Sequence, residues 1–114
     1  MERDRLYVDH ILEAIRKIED YTHDLSARVF KDKKNEMVQD AVVRELEIIG
    51  EAVGALSASL KKNFPYLPWR KIRAMRNKLV HEYFSINLTI VWNTLKKSVP
   101  LLKKSMKEIE DQIK

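Results

Sequence analysis

Residues 76–83 read Arg-Asn-Lys-Leu-Val-His-Glu-Tyr, which places a guanidinium, an imidazole and a phenol close together in the sequence. Arginine binds a phosphate through two parallel hydrogen bonds and stabilises added negative charge. Histidine takes and gives a proton near neutral pH, because its unperturbed pKa is about 6.5. These are the groups that would cleave a phosphodiester without a metal ion, so Arg76 and His81 are the candidate catalytic residues.

The two candidate residues have distinct roles in such a reaction. His81 would deprotonate a ribose 2′-hydroxyl or protonate the leaving 5′-oxygen. Arg76 would hold the scissile phosphate and stabilise the charge that builds in the transition state. RNA is the required substrate, because DNA lacks the 2′-hydroxyl nucleophile.

A single regular helix does not aim Arg76 and His81 at one phosphate. Each residue of an α-helix turns the chain by about 100°, so residues five apart leave the helix roughly 140° apart. Either the helix unwinds near His81, or two copies of the chain pair so that the motif of one completes that of the other. We favour the pair, because a symmetric dimer is the commonest soluble oligomer.

The net charge of +5 is concentrated around these residues. Residues 61–81 contain seven basic residues and no acidic one, whereas the rest of the chain holds 15 basic and 17 acidic residues. A localised basic patch attracts polyanions, above all nucleic acid, although such a run is also typical of a solvated helix face. We expect Arg73, Lys71 and Lys78 to guide the RNA backbone, and Asn77 to orient a phosphate or the imidazole.

The composition is that of one globular domain spanning residues 1–114, with 45% hydrophobic and 34% charged residues. The absence of cysteine excludes disulfides and thiolate metal sites. The spacing of His10 and His23 does not suit a metal ion, so we predict neither a metal nor a cofactor. No apolar run reaches the roughly 18 residues of a transmembrane helix, and the first residues do not resemble a signal peptide. We therefore expect a cytoplasmic protein that does not enter a membrane.

Helical periodicity predicts an all-α fold, a bundle of about four main helices. Apolar residues recur at three- and four-residue spacing along four segments. These segments are residues 4–25, residues 35–60, the stretch that begins at Pro68 and carries the motif, and residues 88–113. The last of them repeats every 3.5 residues on average, which is typical of a coiled-coil-like seam inside a bundle or between subunits.

Individual residues refine the predicted helices. Asn35 is the expected N-cap of the second helix, and residues 85–87 should form a turn and an N-cap before the last one. Gly50 and Gly54 each cost a helix about 1 kcal/mol relative to alanine, so we expect another backbone to pack closely against them. Pro100 should kink the last helix locally.

The segment at residues 76–83 resembles the R-x4-H-x-Y motif of the HEPN superfamily, and specifically of its HepT toxin branch. Residues 47–52 (Glu-Ile-Ile-Gly-Glu-Ala) resemble part of the second helix of that family, and residues 69–75 resemble its approach to the motif. The resemblance implies an all-helical dimer whose paired motifs form a metal-independent endoribonuclease cleft in a prokaryotic cytoplasm. It assigns catalysis to Arg76 and His81.

The resemblance also implies a partner, a small MNT-type nucleotidyltransferase antitoxin. In this family the antitoxin transfers AMP from ATP to the motif tyrosine, here Tyr83, and it could form a larger hetero-oligomer with the homodimer. A bulky phosphate-containing group at Tyr83 would fill the cleft and repel the phosphate of RNA. Glu51 is a candidate ion-pair partner for a motif arginine across the helices.

Two other interpretations follow from the same sequence. HEPN domains include non-catalytic modules, so the chain could bind nucleotide or protein and dock a nucleotidyltransferase without cleaving RNA. The heptad-like repeat of the last helix is also typical of a purely structural adaptor. Cleavage of RNA distinguishes the enzyme from the binding module, and RNA binding distinguishes the adaptor from the others.

Overall fold

The computed structural model describes residues 2–82 and 85–113, and within these ranges the chain forms helices and turns without a strand. The all-α prediction is confirmed. No helix in these ranges combines the length and the apolar character needed to cross a bilayer. In chain order the elements are α1 (Glu2–Thr22), α2 (Ala27–Phe30), a 3₁₀ turn (Lys33–Asn35), α3 (Glu36–Ala55), α4 (Ala58–Asn63), α5 (Trp69–His81), α6 (Leu88–Asn93), a π-helical segment (Thr94–Ser98) and α7 (Val99–Ile113).

Three long helices, α1, α3 and α7, enclose the core. Helix α1 packs antiparallel along α3 and also contacts α7. Each buried large side chain contributes about 1.5–3 kcal/mol relative to leaving it in water, so this layer is a stable base for the remaining helices. The core comes from the apolar faces that the periodicity predicted, including Val8, Ile11, Ile15 and Ile18 of α1, Val42, Leu46, Ile49 and Val53 of α3, and Leu102, Met106 and Ile109 of α7.

The segment at residues 35–60, predicted as one helix, is two helices. Helix α3 ends at Ala55 because Leu56 and Ser57 take extended backbone, and Ser57 caps α4 with its hydroxyl oxygen. Buried Asp4 of α1 holds this joint by accepting hydrogen bonds from the Ser57 backbone N–H at 2.8 Å and from the Ser57 hydroxyl at 2.6 Å. The continuous helix was a wrong prediction, since the contact that favours the break comes from Asp4, which is 53 positions away in the sequence.

Asn35 precedes α3 but does not cap it with its side chain. A capping side chain needs extended backbone at its own residue, whereas Asn35 ends the 3₁₀ turn with φ −103° and ψ 25°. Its amide instead donates to the carbonyl of Val29 at 2.6 Å and fastens the α2 connection. Asn35 therefore holds the predicted N-cap position of α3 without the capping hydrogen bond. The expected N-cap before the last segment is confirmed, because Asn87 Oδ1 accepts from the backbone N–H groups two and three positions later at 3.0 and 3.1 Å.

The distortion expected at Pro100 takes the form of the π-helical segment between α6 and α7. Proline lacks an N–H, and its ring crowds the carbonyl four residues earlier, which is that of Lys96 inside the segment. A π turn accommodates such a mismatch without ending the helix. The apolar seam continues through it, since Leu95 and Val99 are both buried.

Helix α5, which carries most of the motif, is the least covered of the long helices. It packs on α3, but Leu79 is the one buried residue among its positions. Trp69, Ile72 and Met75 are half-buried. Two open grooves, of about 360 and 210 Å³, separate α5 from the region of α6 and α7. The candidate site therefore lies at the surface of the bundle, on a helix supported from one side.

Candidate functional site

Arg76 reaches the surface through a close contact between α5 and α3. A Cβ atom added at Gly50 would overlap the Cβ of Arg76 and lie 2.6 Å from its Cγ. Only glycine leaves room for the root of the arginine side chain here. The expected close approach of another element to Gly50 is confirmed, and it fixes the point at which the guanidinium emerges.

Two polar neighbours hold that guanidinium. Nη2 of Arg76 donates to Oε1 of Glu51 at 3.0 Å, and Nη1 donates to Oδ1 of Asn77 at 3.1 Å. The ion pair between Glu51 and a motif arginine is thus confirmed. It is half-exposed on the Glu51 side and contributes only about 0–1 kcal/mol to stability, so its main effect is orientation. We call Arg76, Glu51 and Asn77, with Gly50 beneath them, the Arg76 site.

One buried N–H of the guanidinium is unpaired. The Nε of Arg76 is buried and has no hydrogen-bond partner among the described residues. Leaving a buried donor unpaired costs about 1–3 kcal/mol. Nε and Nη2 form one of the two-pronged edges with which a guanidinium binds an oxyanion. A phosphate that displaced Glu51 from Nη2 could therefore also accept a hydrogen bond from Nε. That hydrogen bond is absent from the free protein and would favour phosphate binding.

His81 is exposed at the last position of α5. The helix is regular from Trp69 to His81, so Arg76 and His81 leave it about 140° apart. Unwinding between the two residues is therefore not observed, and α5 of one chain does not converge them. Tyr83 lies outside the described residues.

The residues predicted to guide RNA lie on two flanks of α5. Arg73 is one turn before Arg76 and also lies against α3, and Asn77 contacts Arg76 directly. Lys71 and Lys78 are seven residues apart and line the two grooves that face α6 and α7. The structure therefore gathers Arg73 and Asn77 near Arg76, and it places the two lysines on the other flank.

A second cluster of cations was missed by the sequence analysis. It lines an open cavity of about 420 Å³ at the N-terminal end of α5. The signal was present in the basic run at residues 61–81, but a continuous second helix would have ended far from α5. The break at Ser57 reorients α4 and brings Lys61 to the cavity. We call this cluster the Arg73 site; it consists of Lys61, Arg70 and Arg73, with Trp69 and Gly54 in the cavity wall.

The other two histidines do not join either site. The ring of His10 packs edge-on against Tyr7, with ring centroids 5.6 Å apart. Nδ1 of His23 lies 3.1 Å from Asp24. Within residues 2–82 and 85–113, no three histidine, aspartate or glutamate side chains converge as metal ligands would.

Comparison with known proteins gives the class to which this fold and site belong. Residues 11–109 match the family model described as Ribonuclease HepT-like. The chain belongs to the HepT-like ribonuclease family, and the resemblance seen in the sequence is confirmed. No solved structure matches the chain.

Named relatives cover nearly all of the chain. A "probable ribonuclease HepT" of Thermococcus cleftensis is 42% identical over 98 residues, which are 85% of this chain and 86% of that protein. A "putative RNase" of Caldanaerobacter subterraneus subsp. tengcongensis is 39% identical over 109 residues, or 96% of each chain. A "gamma-glutamylcyclotransferase and putative RNase" of Methanocaldococcus jannaschii is 37% identical over 96% of this chain, which spans 48% of that longer protein.

Proposed function

We propose that the chain is a metal-independent endoribonuclease of a toxin–antitoxin pair, and that it cleaves RNA in a cleft formed by the motifs of two copies. The observation that carries the proposal is the Arg76 site. It holds a guanidinium near the surface with one buried N–H, that of Nε, unpaired, on the same helix as the exposed His81. Membership in the HepT-like ribonuclease family and the names of the relatives support the same reaction class.

The proposed reaction uses the two side chains in separate roles. The scissile phosphate displaces Glu51 and binds Arg76, which stabilises the charge that builds on the non-bridging oxygens. His81 takes the proton of the 2′-hydroxyl or gives a proton to the 5′-oxygen. The 2′-oxygen bonds to phosphorus, the bond to the 5′-oxygen breaks, and the products are a 2′,3′-cyclic phosphate and a free 5′-hydroxyl.

The pairing of two copies follows from the geometry of α5. Because the helix is straight from Arg76 to His81, a single α5 presents the two side chains to different places. A two-fold axis beside the helix would bring Arg76 of one copy towards His81 of the other. The half-buried Ile72 and Met75, in grooves that the described residues leave open, support an interface on this helix.

Cleavage of single-stranded RNA in the presence of EDTA tests the activity. We expect Arg76→Ala to reduce cleavage about 10²–10³-fold and His81→Ala to reduce it about 10²–10⁴-fold, with the circular dichroism of the helices unchanged. His23→Ala and Arg28→Ala are matched controls, since both residues are exposed and lie outside the two sites, and both should cleave like the wild type. Catalysis is misassigned if Arg76→Ala and His81→Ala also cleave like the wild type.

A mixing experiment tests whether two chains share the cleft. An Arg76→Ala chain still supplies His81, and a His81→Ala chain still supplies Arg76. If each cleft takes one residue from each copy, a heterodimer contains one intact cleft. An equal mixture that has been allowed to exchange subunits should then recover about a quarter of the wild-type rate, since half of the dimers are mixed. No recovery despite confirmed exchange would place both residues of a cleft on one chain.

Control by the antitoxin is the part of the proposal that depends on family resemblance. We propose that an MNT-type nucleotidyltransferase joins the AMP group of ATP to the hydroxyl of Tyr83 and releases pyrophosphate. The added phosphate would repel RNA and block the cleft. Intact-mass measurement after co-expression should show adenylyl-sized additions that Tyr83→Phe removes. Unmodified protein under conditions where the enzyme is active would contradict this regulation.

A non-catalytic module that docks a nucleotidyltransferase is the second candidate function. The observation that favours it is the Arg76–Glu51 ion pair, because it joins α3 to α5 and already occupies part of the guanidinium that catalysis would need. Tight binding of the partner or of nucleotide, with no cleavage of any RNA, would support this function over the first.

A further inference from the structure

The Arg73 site is a basic cavity that the proposed cleavage reaction does not use. It lies against the last turn of α3 and the first turns of α5, whereas the Arg76 site lies further along both helices towards His81. Its volume is about 420 Å³, and its lining contains two arginines and a lysine but no acidic residue. Such a cavity attracts an anion.

The charges of this site are not neutralised within the described part of the chain. No carboxylate there lies within ion-pair distance of Lys61, Arg70 or Arg73, although Glu51 pairs with Arg76 one turn further along α5. The pKa of Lys61 is lowered, first by burial and then by the positive charge of Arg73, with only a weaker opposing effect of Asp4. The free protein therefore holds like charges together, and a bound anion would relieve their repulsion.

Three features of the fold position these groups. A Cβ at Gly54 would lie 2.8 Å from Cζ of Arg73 and overlap Nη1, so the glycine lets the guanidinium lie against α3. The indole N–H of Trp69 donates to the carbonyl of Phe64 at 3.1 Å, which fixes the ring in the cavity wall. Lys61 arrives on α4, whose start is held by the Asp4–Ser57 contact.

We propose that the Arg73 site binds a phosphate of the RNA backbone other than the scissile one. Arg70 precedes His81 by eleven residues of regular helix, or about 16 Å at roughly 1.5 Å per residue, so the two places hold different phosphates. The arginines would supply two-pronged hydrogen bonds to the phosphate, and Trp69 in the cavity wall would stack on a neighbouring base. This inference rests on the proposed function for the identity of the ligand.

Charge removal at the cavity tests the inference without relying on cleavage. The variant is Lys61→Ala/Arg70→Ala, and the matched control is Arg28→Ala/Lys33→Ala, which removes the same two charges near the opposite end of α3. The probe is a single-stranded oligonucleotide with 2′-O-methyl groups, which the proposed reaction cannot cleave. Because each lost phosphate contact lowers the salt dependence of single-strand affinity by about 0.7, and the site holds one phosphate, we expect the log–log slope to fall by about 0.7 in the variant and to stay unchanged in the control. Equal slopes in variant and control would overturn the site.

Kinetics separate this inference from the proposed function. With cleavable RNA, the variant should raise KM about tenfold or more and leave kcat within about twofold, because the scissile phosphate still meets Arg76 and His81. A fall in kcat with KM unchanged would contradict a remote binding site. Suppose that the slope difference between variant and control is found but the wild-type protein cleaves no RNA. This result would refute the proposed nuclease activity and would still support the Arg73 site.

The fluorescence of Trp69 distinguishes RNA from other phosphate sources. Trp92 packs on Phe30, with ring centroids 5.2 Å apart, so Trp92→Phe is a conservative change that leaves Trp69 as the one tryptophan. The RNA probe should alter its emission, and the change should be lost in the Lys61→Ala/Arg70→Ala background. ATP or inorganic phosphate could instead saturate the change in Trp69 emission and resist displacement by RNA. That result would assign the cavity to a small anion and overturn the inference.

Discussion

Arg76 and Arg73 meet α3 at the same kind of position and have opposite electrostatic surroundings. Each lies against a glycine, Gly50 for the first and Gly54 for the second. Arg76 is held by a carboxylate and an amide, whereas Arg73 shares its cavity with two further cations. A phosphate must displace a partner at the Arg76 site and meets none at the Arg73 site. The first arrangement suits orientation of a reacting group, and the second suits capture of a charged chain.

Gly50 contacts the root of its arginine side chain, whereas Gly54 contacts the end of its arginine side chain. This difference gives the largest predicted effect on stability. Gly50→Ala places a methyl group on the root of Arg76, which cannot move without α5, while Gly54→Ala meets only the flexible end of Arg73. Overpacking costs about 1–3 kcal/mol and alanine regains about 1 kcal/mol of helix propensity, so we expect the free energy of unfolding to fall by up to about 2 kcal/mol for Gly50→Ala. For Gly54→Ala the gain of about 1 kcal/mol in helix propensity should offset the displacement.

Urea unfolding of both variants, with RNA binding measured in parallel, checks this contrast. Gly50→Ala should lose cleavage as well as stability, because it moves α5. Gly54→Ala should keep its stability and weaken RNA binding by moving the guanidinium of Arg73. Equal stability losses in the two variants would mean that the contacts at the two glycines are equivalent, and the comparison would fail.

Acid should destabilise α4, which carries Lys61 of the Arg73 site, because Asp4 holds the start of that helix. Burial raises the pKa of Asp4, but the hydrogen bonds from Ser57 outweigh burial and leave that pKa lowered. A lowered pKa in the folded state means that the stabilisation is present above the ordinary value of about 3.9 and is lost as the pH falls through the folded value. Asp4→Asn should reduce the free energy of unfolding by about 1–2 kcal/mol at neutral pH.

Denaturation across a pH series measures the effect of Asp4. The wild type and Asp4→Asn should differ at pH 7 and converge below about pH 4. Hydrogen exchange should show faster opening of α4 than of α5 in the variant. A constant gap between the two proteins at all pH values would show that the charge of Asp4 is not what holds the joint.

The smallest predicted effect on stability belongs to Glu51. Glu51→Gln removes the carboxylate that occupies Nη2 of Arg76, and a pair at the surface contributes only about 0–1 kcal/mol. We expect a change below about 1 kcal/mol in stability and a several-fold gain in affinity for the 2′-O-methyl RNA probe, since a competitor of phosphate is gone. Glu47→Gln on the same helix, where the carboxylate lies 3.6 Å from Arg44, is the control. Weaker RNA binding by Glu51→Gln would show that the orientation of Arg76 by the carboxylate outweighs its competition with the ligand.

Helix periodicity was enough to predict most of the fold. The apolar faces of α1, α3 and the α6–α7 segment are set by local spacing, and burial follows that spacing. Small features that depend on distant contacts were not predictable. The break at Ser57 needs the carboxylate of Asp4, in the first turn of α1. Asn35 turns towards Val29 because of the backbone conformation of the preceding turn.

The candidate site was predictable in part for the same reasons. Helix geometry alone separates Arg76 from His81. Glycines at positions 50 and 54 inside a helix were enough to predict a close contact with another element, which is α5. Glu51 was a candidate partner for a motif arginine, and the packing of α5 on α3 brings it to Arg76. The Arg73 site was not predictable, because it forms only once α4 turns away from α3 and delivers Lys61 to α5.

The two glycine contacts also determine how the chain tolerates changes in length. They fix α5 on α3 in one register, because a shift by one helical turn would put Arg76 over Glu47 or Gly54 and would move Arg73 off its own glycine. Residues added between α4 and α5 leave that register intact, whereas a single residue inserted between Gly50 and Gly54 rotates one glycine by about 100° out of the contact. The four-residue spacing from Gly50 to Gly54 is therefore the length in α3 that must not change.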